Sequence, residues 1–336
     1  MTHKIAVLGA GAWGTALAKA LSDKGHEVRL WSWQKPHADA IERERANEGF
    51  LPGAKLGPTL RATSDLEGAL RGADMVLTAV PTHVLREVLG KAAPHLLASA
   101  PILSVSKGIE ISTLKVVSGI FEDCVPDETL PRVAYLGGPS FAKEVAAGMP
   151  TAVVVACGRE DVAKQWQEAL ATDRLRVYTS DDVIGIELGG ALKNVIAIAA
   201  GVSDGLGFGH NTRAALITRG LAEMTRLATK MGAHPLTLAG LGGMGDLVLT
   251  CTGDLSRNRT VGLELGKGRK LDEILASMTQ VAEGVRTTKA AHDLARREDV
   301  EMPITDAMYR ILYEGQSPLE ATVELMTRKK RAERDE

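Results

Sequence analysis

The chain has 336 residues, enough for two domains of ordinary size, and its 45% hydrophobic and 24% charged shares exclude a disordered or fibrous protein. Lys+Arg 40 against Asp+Glu 42 leaves a net charge of -2, so no global field recruits nucleic acid or an anionic membrane, and any anionic substrate must be met by a local basic site. No apolar run approaches the roughly 18 residues of a membrane-spanning helix, so no membrane insertion is expected. The start, MTHKIAVLGAG, enters a strand at once and leaves no room for a signal peptide. Cys124, Cys157 and Cys251 are far apart and lack CxxC or Cys/His ligand spacing, which fits reduced thiols in a cytoplasm and argues against a metal site.

Along the first half, strand and helix patterns alternate. Lys4–Leu8 is a short aliphatic strand, followed by a glycine turn and the helical pattern Thr15–Lys24. Val28–Trp31, Asp74–Val80, Pro101–Ser106, Val133–Leu136 and Thr151–Ala156 continue the strand series, with helical stretches between them. This rhythm predicts an α/β fold, a doubly wound parallel sheet of Rossmann type. After about Asp182 the period becomes helical: Glu187–Val202, Thr212–Met231, Leu271–Ala276, Thr287–Arg296 and Ile304–Tyr313. The expected organisation is a dinucleotide-binding domain over 1–182 and an all-helical substrate domain over 183–336. The tail RKKRAERDE reads as a solvated helix end.

The turn GAGAWG holds Gly9, Gly11 and Gly14 in the spacing G-x-G-x-x-G, with Ala12 and Trp13 between them. Following a strand and opening a helix, it predicts a pyrophosphate seated on helix N-terminal amides. After the second strand, an Asp or Glu would bind the ribose 2′-hydroxyl of NAD. Here stand Trp31, Ser32, Trp33, Gln34 and Lys35, so nothing repels a 2′-phosphate; Lys35 either attracts one or is simply solvated.

Lys107, in SVSKGIE, follows an apolar strand and is placed at the carboxyl edge where open α/β sheets bind ligands; a surface turn lysine is the alternative. LGGPSFAKE brings Gly137, Gly138 and Ser140 to the same edge. GLGGMGDLVLTC sets four glycines around Asp246 without a P-loop lysine ending. SRNR, from Ser256, offers hydroxyl, guanidinium and amide donors suited to a phosphate, or an ordinary polar turn. In ELGGALKNVIAIAAG, Lys193 and Asn194 interrupt an apolar helix just after Gly189 and Gly190. Either the lysine snorkels and the glycines serve helix packing, or the glycines clear space for a ligand beside it.

Together these motifs resemble the bacterial NAD(P)-dependent glycerol-3-phosphate dehydrogenases, over nearly the whole chain. The match runs from GAGAWGTALA through SKGIE, GGPSFAKEVAAGMPTAVVVA, IGIELGGALKNVIAIAAGVSDGLGFGHNTRAALITRGLAEM, GLGGMGDLVLTCTGDLSRNR, VAEGVRTT and MPITDAMYRILYEG. The resemblance implies a Rossmann domain plus a helical domain, a homodimer, and a site between the domains. It implies a small phosphorylated substrate, interconversion of sn-glycerol 3-phosphate and dihydroxyacetone phosphate, and a role in phospholipid synthesis. It places the proton acceptor on Lys193. Substrate contacts fall on Lys107, Gly138, Ser140, Lys193, Asp246, Ser256, Arg257 and Asn258. Cofactor contacts fall on Gly9, Gly11, Ala12, Trp13 and Gly14, and on Lys107, Ala142, Arg257, Val281 and Glu283. One departure is Trp33, where the family commonly has Arg or His at the adenosine end of NADPH; the cofactor is NADP(H), NAD(H) or both.

The residues give a chemical reason for Lys193. Oxidising a secondary alcohol needs a base at the hydroxyl, and burial beside a second cation, Lys107, would favour a neutral lysine. Glycines beside it then read as room for substrate or nicotinamide. Asp246 would orient a substrate hydroxyl or Lys193, and Arg257 and Asn258 would hold the phosphate. Two rivals are an enzyme of similar architecture acting on a hydroxy acid or sugar acid, and a non-catalytic dinucleotide sensor, which would need neither lysine.

Overall fold

A computed structural model describes residues 2–278, 282–330 and 332–333. Its strands are β1 (Lys4–Leu8), β2 (Glu27–Trp31), β3 (Ala46–Asn47), β4 (Leu51–Lys55), β5 (Leu60–Thr63), β6 (Met75–Thr78), β7 (Ile102–Ser104), β8 (Val133–Gly137), β9 (Thr151–Ala156) and β10 (Leu175–Ser180). Eight form one sheet in the order β10-β9-β8-β7-β6-β1-β2-β5, and β3 and β4 pair separately. Alternate side chains of β1 serve two cores. Ile5 and Val7 pack with Leu17, Leu21 and Trp166 on one face, and Ala6 and Leu8 with Leu85, Ile120 and Phe121 on the other.

The sheet is not wholly parallel, as the sequence reading had it. β9 runs antiparallel to β8, with Tyr135 opposite Ala156, and β10 follows β9 in parallel. TAVVVA is buried at Val153 to Ala156, so its apolar pattern fits either direction. The winding reverses between β1 and β6, which puts a crevice at their carboxyl ends, where dinucleotides bind such sheets.

Among the described residues, no strand follows Ser180. The helix Val183–Gly205 starts at Asp182, whose carboxylate accepts the Gly185 amide at 2.8 Å, and is buried continuously from Gly185 to Ser203. It is 23 residues long with a mean hydropathy of 1.6 in its most apolar 18-residue window, so the chain does contain a segment long and apolar enough to cross a membrane. However, 89% of that window is buried inside the protein, because the other helices wrap it.

Backbones meet directly where this central helix crosses the helix Arg257–Gly266. A Cβ on Gly201 would lie 2.0 Å from the Arg259 carbonyl oxygen, and one on Gly262 would lie 2.0 Å from that of Ile198. Gly205 and Gly266 repeat the contact one turn on. The last helix, Pro318–Thr327, ends before the basic tail, and Arg328 to Lys330 are exposed and non-helical, not the helix end expected of RKKRAERDE.

Candidate active site

The glycine turn has the geometry its spacing implies. Gly9 sits at φ +117, and a Cβ there would lie 2.6 Å from the Ala79 carbonyl oxygen, so only glycine fits between β1 and β6. A Cβ on Gly14 would lie 1.9 Å from the Gly9 oxygen, which lets the helix Ala12–Asp23 start hard against the strand. Gly11 has nothing within 4 Å on its side-chain face. A tight turn, close helix packing and an open face above the first helical amides fit a dinucleotide pyrophosphate. Ala12 opens that helix, and Trp13 packs against the core with its Nε1 buried and without a hydrogen-bond partner.

Just after β2, Trp33 is 76% exposed. Lys35 pairs with Asp39 at 2.8 Å in the next helix, so its charge is already matched on the surface. That favours the solvated reading of Lys35.

Three segments distant in sequence meet at one carboxylate. Asp246, 1% exposed, follows a π-helical turn Leu241–Gly245 and opens the helix Asp246–Thr252. Its Oδ1 accepts from Lys193 Nζ at 2.5 Å, and its Oδ2 from Lys107 Nζ at 2.7 Å. Lys193 Nζ also donates to Thr250 Oγ1 at 2.9 Å, and that hydroxyl donates to the Asp246 carbonyl at 2.6 Å. Lys193 therefore does not snorkel to solvent; it is 7% exposed with its ammonium held inside. Burial pushes its pKa down to about 8, against the pull of Asp246 and with help from Lys107. Burial also opposes the charge of Asp246, but the two ammonium groups outweigh it and hold the carboxyl below its ordinary value.

Gly189 beside Lys193 serves this arrangement rather than a ligand. A Cβ on Gly189 would lie 2.5 Å from the Gly242 carbonyl oxygen, in the turn that leads to Asp246. One on Gly190 would lie 3.4 Å from Cγ and Cδ of Lys107, at ordinary contact with its stem. At Gly189, room for the substrate is therefore not what the missing side chain supplies.

The remaining candidates gather around the same elements. Gly138, at φ +114, has its carbonyl accepting from Ser140 Oγ at 3.0 Å, and Pro139 between them packs beside Gly245. Ala142 opens the short helix Ala142–Ala146. Ser256 caps the helix Arg257–Gly266, its Oγ accepting the Arg259 amide at 3.2 Å. Arg257 and Asn258 thus stand in the first turn, where helix amides and dipole favour an anion. Asn258 Nδ2 donates to Asn194 Oδ1 at 2.9 Å, and its Oδ1 accepts the Gly284 amide at 2.9 Å. Glu283 accepts the Thr82 amide at 3.4 Å; burial raises its pKa, while the Thr82 bond and then Arg257, Lys107 and Lys193 oppose that. Trp33 is exposed beyond the end of β2, and Val281 lies outside the described residues. Thr250, Asn194 and Thr82 were not among the expected site residues. Thr250 carried a signal, standing four residues after Asp246 on one helix face. Among the described residues, no group of three His, Cys, Asp or Glu could hold a metal.

Comparison with known proteins agrees with this geometry. Residues 4–163 match the family model for the NAD-dependent glycerol-3-phosphate dehydrogenase N-terminus, and 182–323 the model for its C-terminus. The glycerol-3-phosphate dehydrogenase (NAD(P)+) of Citrifermentans bemidjiense is 58% identical over 333 residues, with 99% of both chains covered. That of Myxococcus xanthus is 54% identical, covering 97% of this chain and 98% of its own. The crystal structure of glycerol-3-phosphate dehydrogenase from Coxiella burnetii superposes with a TM-score of 0.93 at 43% identity, over 97% of this chain and 99% of that one. A glycine turn built for a pyrophosphate, a buried two-lysine carboxylate and full-length similarity converge on one conclusion: the chain belongs to the NAD-dependent glycerol-3-phosphate dehydrogenase family.

Proposed function

We propose that Lys193 is the proton carrier in the interconversion of sn-glycerol 3-phosphate and dihydroxyacetone phosphate, the reaction of this NAD(P)-dependent oxidoreductase. The observation that carries this reading is the contact of Lys193 and Lys107 with opposite oxygens of the buried Asp246. Bound nicotinamide supplies or accepts the hydride at the substrate carbon. In oxidation, neutral Lys193 takes the hydroxyl proton as the carbonyl forms. In reduction, the protonated lysines stabilise negative charge on the substrate oxygen, and Lys193 returns the proton. Asp246 holds both ammonium groups at one point and offsets their mutual repulsion.

Arg257, Asn258 and the first amides after Ser256 hold the substrate phosphate, with Gly138 and Ser140 lining the same cleft. Gly9 to Gly14 would hold the cofactor pyrophosphate, with Ala142 and Glu283 as further cofactor contacts. We divide the chain into a dinucleotide-binding part, 1–182, and a helical part, 183–336; the end of β10 at Ser180 and the start of the central helix at Val183 support this. The three free cysteines support a cytoplasmic setting, where the product feeds phospholipid synthesis. A homodimer is the expected assembly. Leu319, Val323 and Met326, exposed on the last helix, are apolar surface that a second copy could cover. The decisive assay follows absorbance of NADPH and of NADH with dihydroxyacetone phosphate in wild type and Lys193→Met. Wild type inactive with both cofactors, or a mutant of normal turnover, overturns the assignment.

A further inference from the structure

The small pair β3 and β4 lies outside the main sheet, yet it delivers one side chain into the dinucleotide-binding crevice's supporting layer. Asn47, 2% exposed, reaches back to the glycine turn, where its Nδ2 donates to the Ala10 carbonyl and to Thr15 Oγ1, both at 2.8 Å. The Ala10 oxygen can only accept, so it fixes which end of the amide is nitrogen. The other end, Oδ1, then accepts from His37 Nε2 at 3.0 Å. His37 Nδ1 in turn accepts from Ser32 Oγ at 2.9 Å, in the segment that follows β2. Both heteroatoms of the Asn47 side chain are engaged, and the chain of bonds joins the glycine turn to the end of β2.

The consequence lies across the peptide from Asn47. A trans peptide is planar, so the Ala10 C=O and the Gly11 N–H point in opposite directions. Holding the carbonyl toward Asn47 aims the Gly11 amide the other way, and the side-chain face of Gly11 is open. Gly11 is the N-cap of the helix Ala12–Asp23, whose first amides have no intrahelical partner. The second bond, to Thr15, ties that first turn to the same anchor.

We propose that Asn47 is a positioning residue for dinucleotide binding: it presets the Ala10–Gly11 peptide so that the turn's amides meet the pyrophosphate without rearranging. Preorganisation of this kind strengthens binding by removing an ordering cost, without Asn47 touching the ligand.

The test is calorimetric titration of the full-length protein with NADPH, for wild type, Asn47→Leu and Asn47→Asp. The leucine removes every hydrogen bond at similar volume; the aspartate keeps the acceptor for His37 and loses the donors. Both should raise the NADPH Kd by at least about tenfold, the equivalent of one well-placed hydrogen bond. At saturating NADPH, kcat and the KM for dihydroxyacetone phosphate should stay within about twofold, since the substrate end is untouched. Hydrogen exchange of amides 11–15 should quicken in the ligand-free variants. A folded variant whose NADPH Kd is unchanged overturns the proposal, and so does a loss of kcat in proportion, which would mark a general loosening. If the leucine variant does not fold, the aspartate variant carries the test alone.

Discussion

Lys193 Nζ lies 2.5 Å from Asp246 Oδ1, a buried ammonium on a buried carboxylate. Were this pair alone, mutual attraction would favour the charged lysine. Burial, with Lys107 on the other carboxylate oxygen, outweighs that and brings the Lys193 pKa to about 8. Glycerol phosphate oxidation, which needs the neutral amine, should therefore rise with pH through about 8, and reduction, which needs the ammonium, should fall over the same range. Lys193→Met should abolish both limbs and lower turnover by ~10²–10⁴, as measured by stopped-flow absorbance in each direction. A mutant that keeps the limb near pH 8 would transfer the role to Lys107.

Asp246→Asn removes the group that raises the Lys193 pKa, so the limb of the oxidation profile should move to lower pH. It also leaves two ammonium groups without their carboxylate. Breaking a buried pair in this way costs about 3–5 kcal/mol of stability, readable by denaturant unfolding. An unmoved limb would show that Asp246 does not set the lysine's proton affinity.

Arg257 stands in the first turn after the Ser256 cap. Arg257→Ala should raise the KM for dihydroxyacetone phosphate about 10- to 100-fold, the loss of a charged hydrogen bond, with a smaller loss of NADPH affinity. Unchanged constants for both would remove it from phosphate binding. At the other end of the cofactor, Trp33→Arg should shift the ratio of kcat/KM values toward NADPH, because a guanidinium pairs with a 2′-phosphate. With no carboxylate after β2, wild type should use NADPH at least as well as NADH, and a strong preference for NADH would contradict this.

Glu187 has a different kind of burial. Its carboxylate crosses from the central helix to accept the Ser118 amide at 2.7 Å and the Ser118 hydroxyl at 2.6 Å, at the start of the helix Val117–Cys124. Desolvation raises its pKa to about 7 despite these bonds. A carboxyl whose folded pKa is raised binds its proton more tightly in the folded state, so its contribution to stability falls as pH rises from the unfolded value through about 7. Glu187→Gln should be increasingly more stable than wild type as pH goes from 5 to 8, measured as the difference in Tm. A difference that is flat in pH would show the carboxyl is not neutralised by folding.

Much of this was legible beforehand, because apolar period and glycine spacing are local signals. β1 and β9 begin and end where the pattern put them, and the glycine fingerprint folded as its spacing required. What sequence could not give was relation between segments. Lys107 and Lys193 stand 139 and 53 residues from Asp246, and no local rule joins them; the chemistry asked for Lys107 beside Lys193 and left Asp246 to orient a substrate hydroxyl or Lys193, without the shared carboxylate the structure shows. The direction of β9 escaped because an apolar run fits both senses. Edge strand β5, LRAT, is too short and mixed to stand out, and β10, LRVYTS, alternates buried and exposed residues through a segment with no long apolar run. Gly189 was noticed correctly as a close-approach position, but what approaches it is protein, and a Cβ on Gly190 would make only ordinary contact with Lys107.

The glycine crossing of the central helix and Arg257–Gly266 has a bearing on substrate choice. One helix carries Lys193 and the other begins at the proposed phosphate site, and at Gly201, Gly205, Gly262 and Gly266 their backbones meet with no side chain between them. Gly262→Ala must push the helices apart at a cost of about 1–3 kcal/mol, and it should raise the KM for dihydroxyacetone phosphate while sparing the NADPH Kd. The two helices thus act as a gauge block: the span from the proposed phosphate site to Lys193 is set by backbone contact, so homologous phosphates one carbon longer or shorter should show a much lower kcat/KM than dihydroxyacetone phosphate.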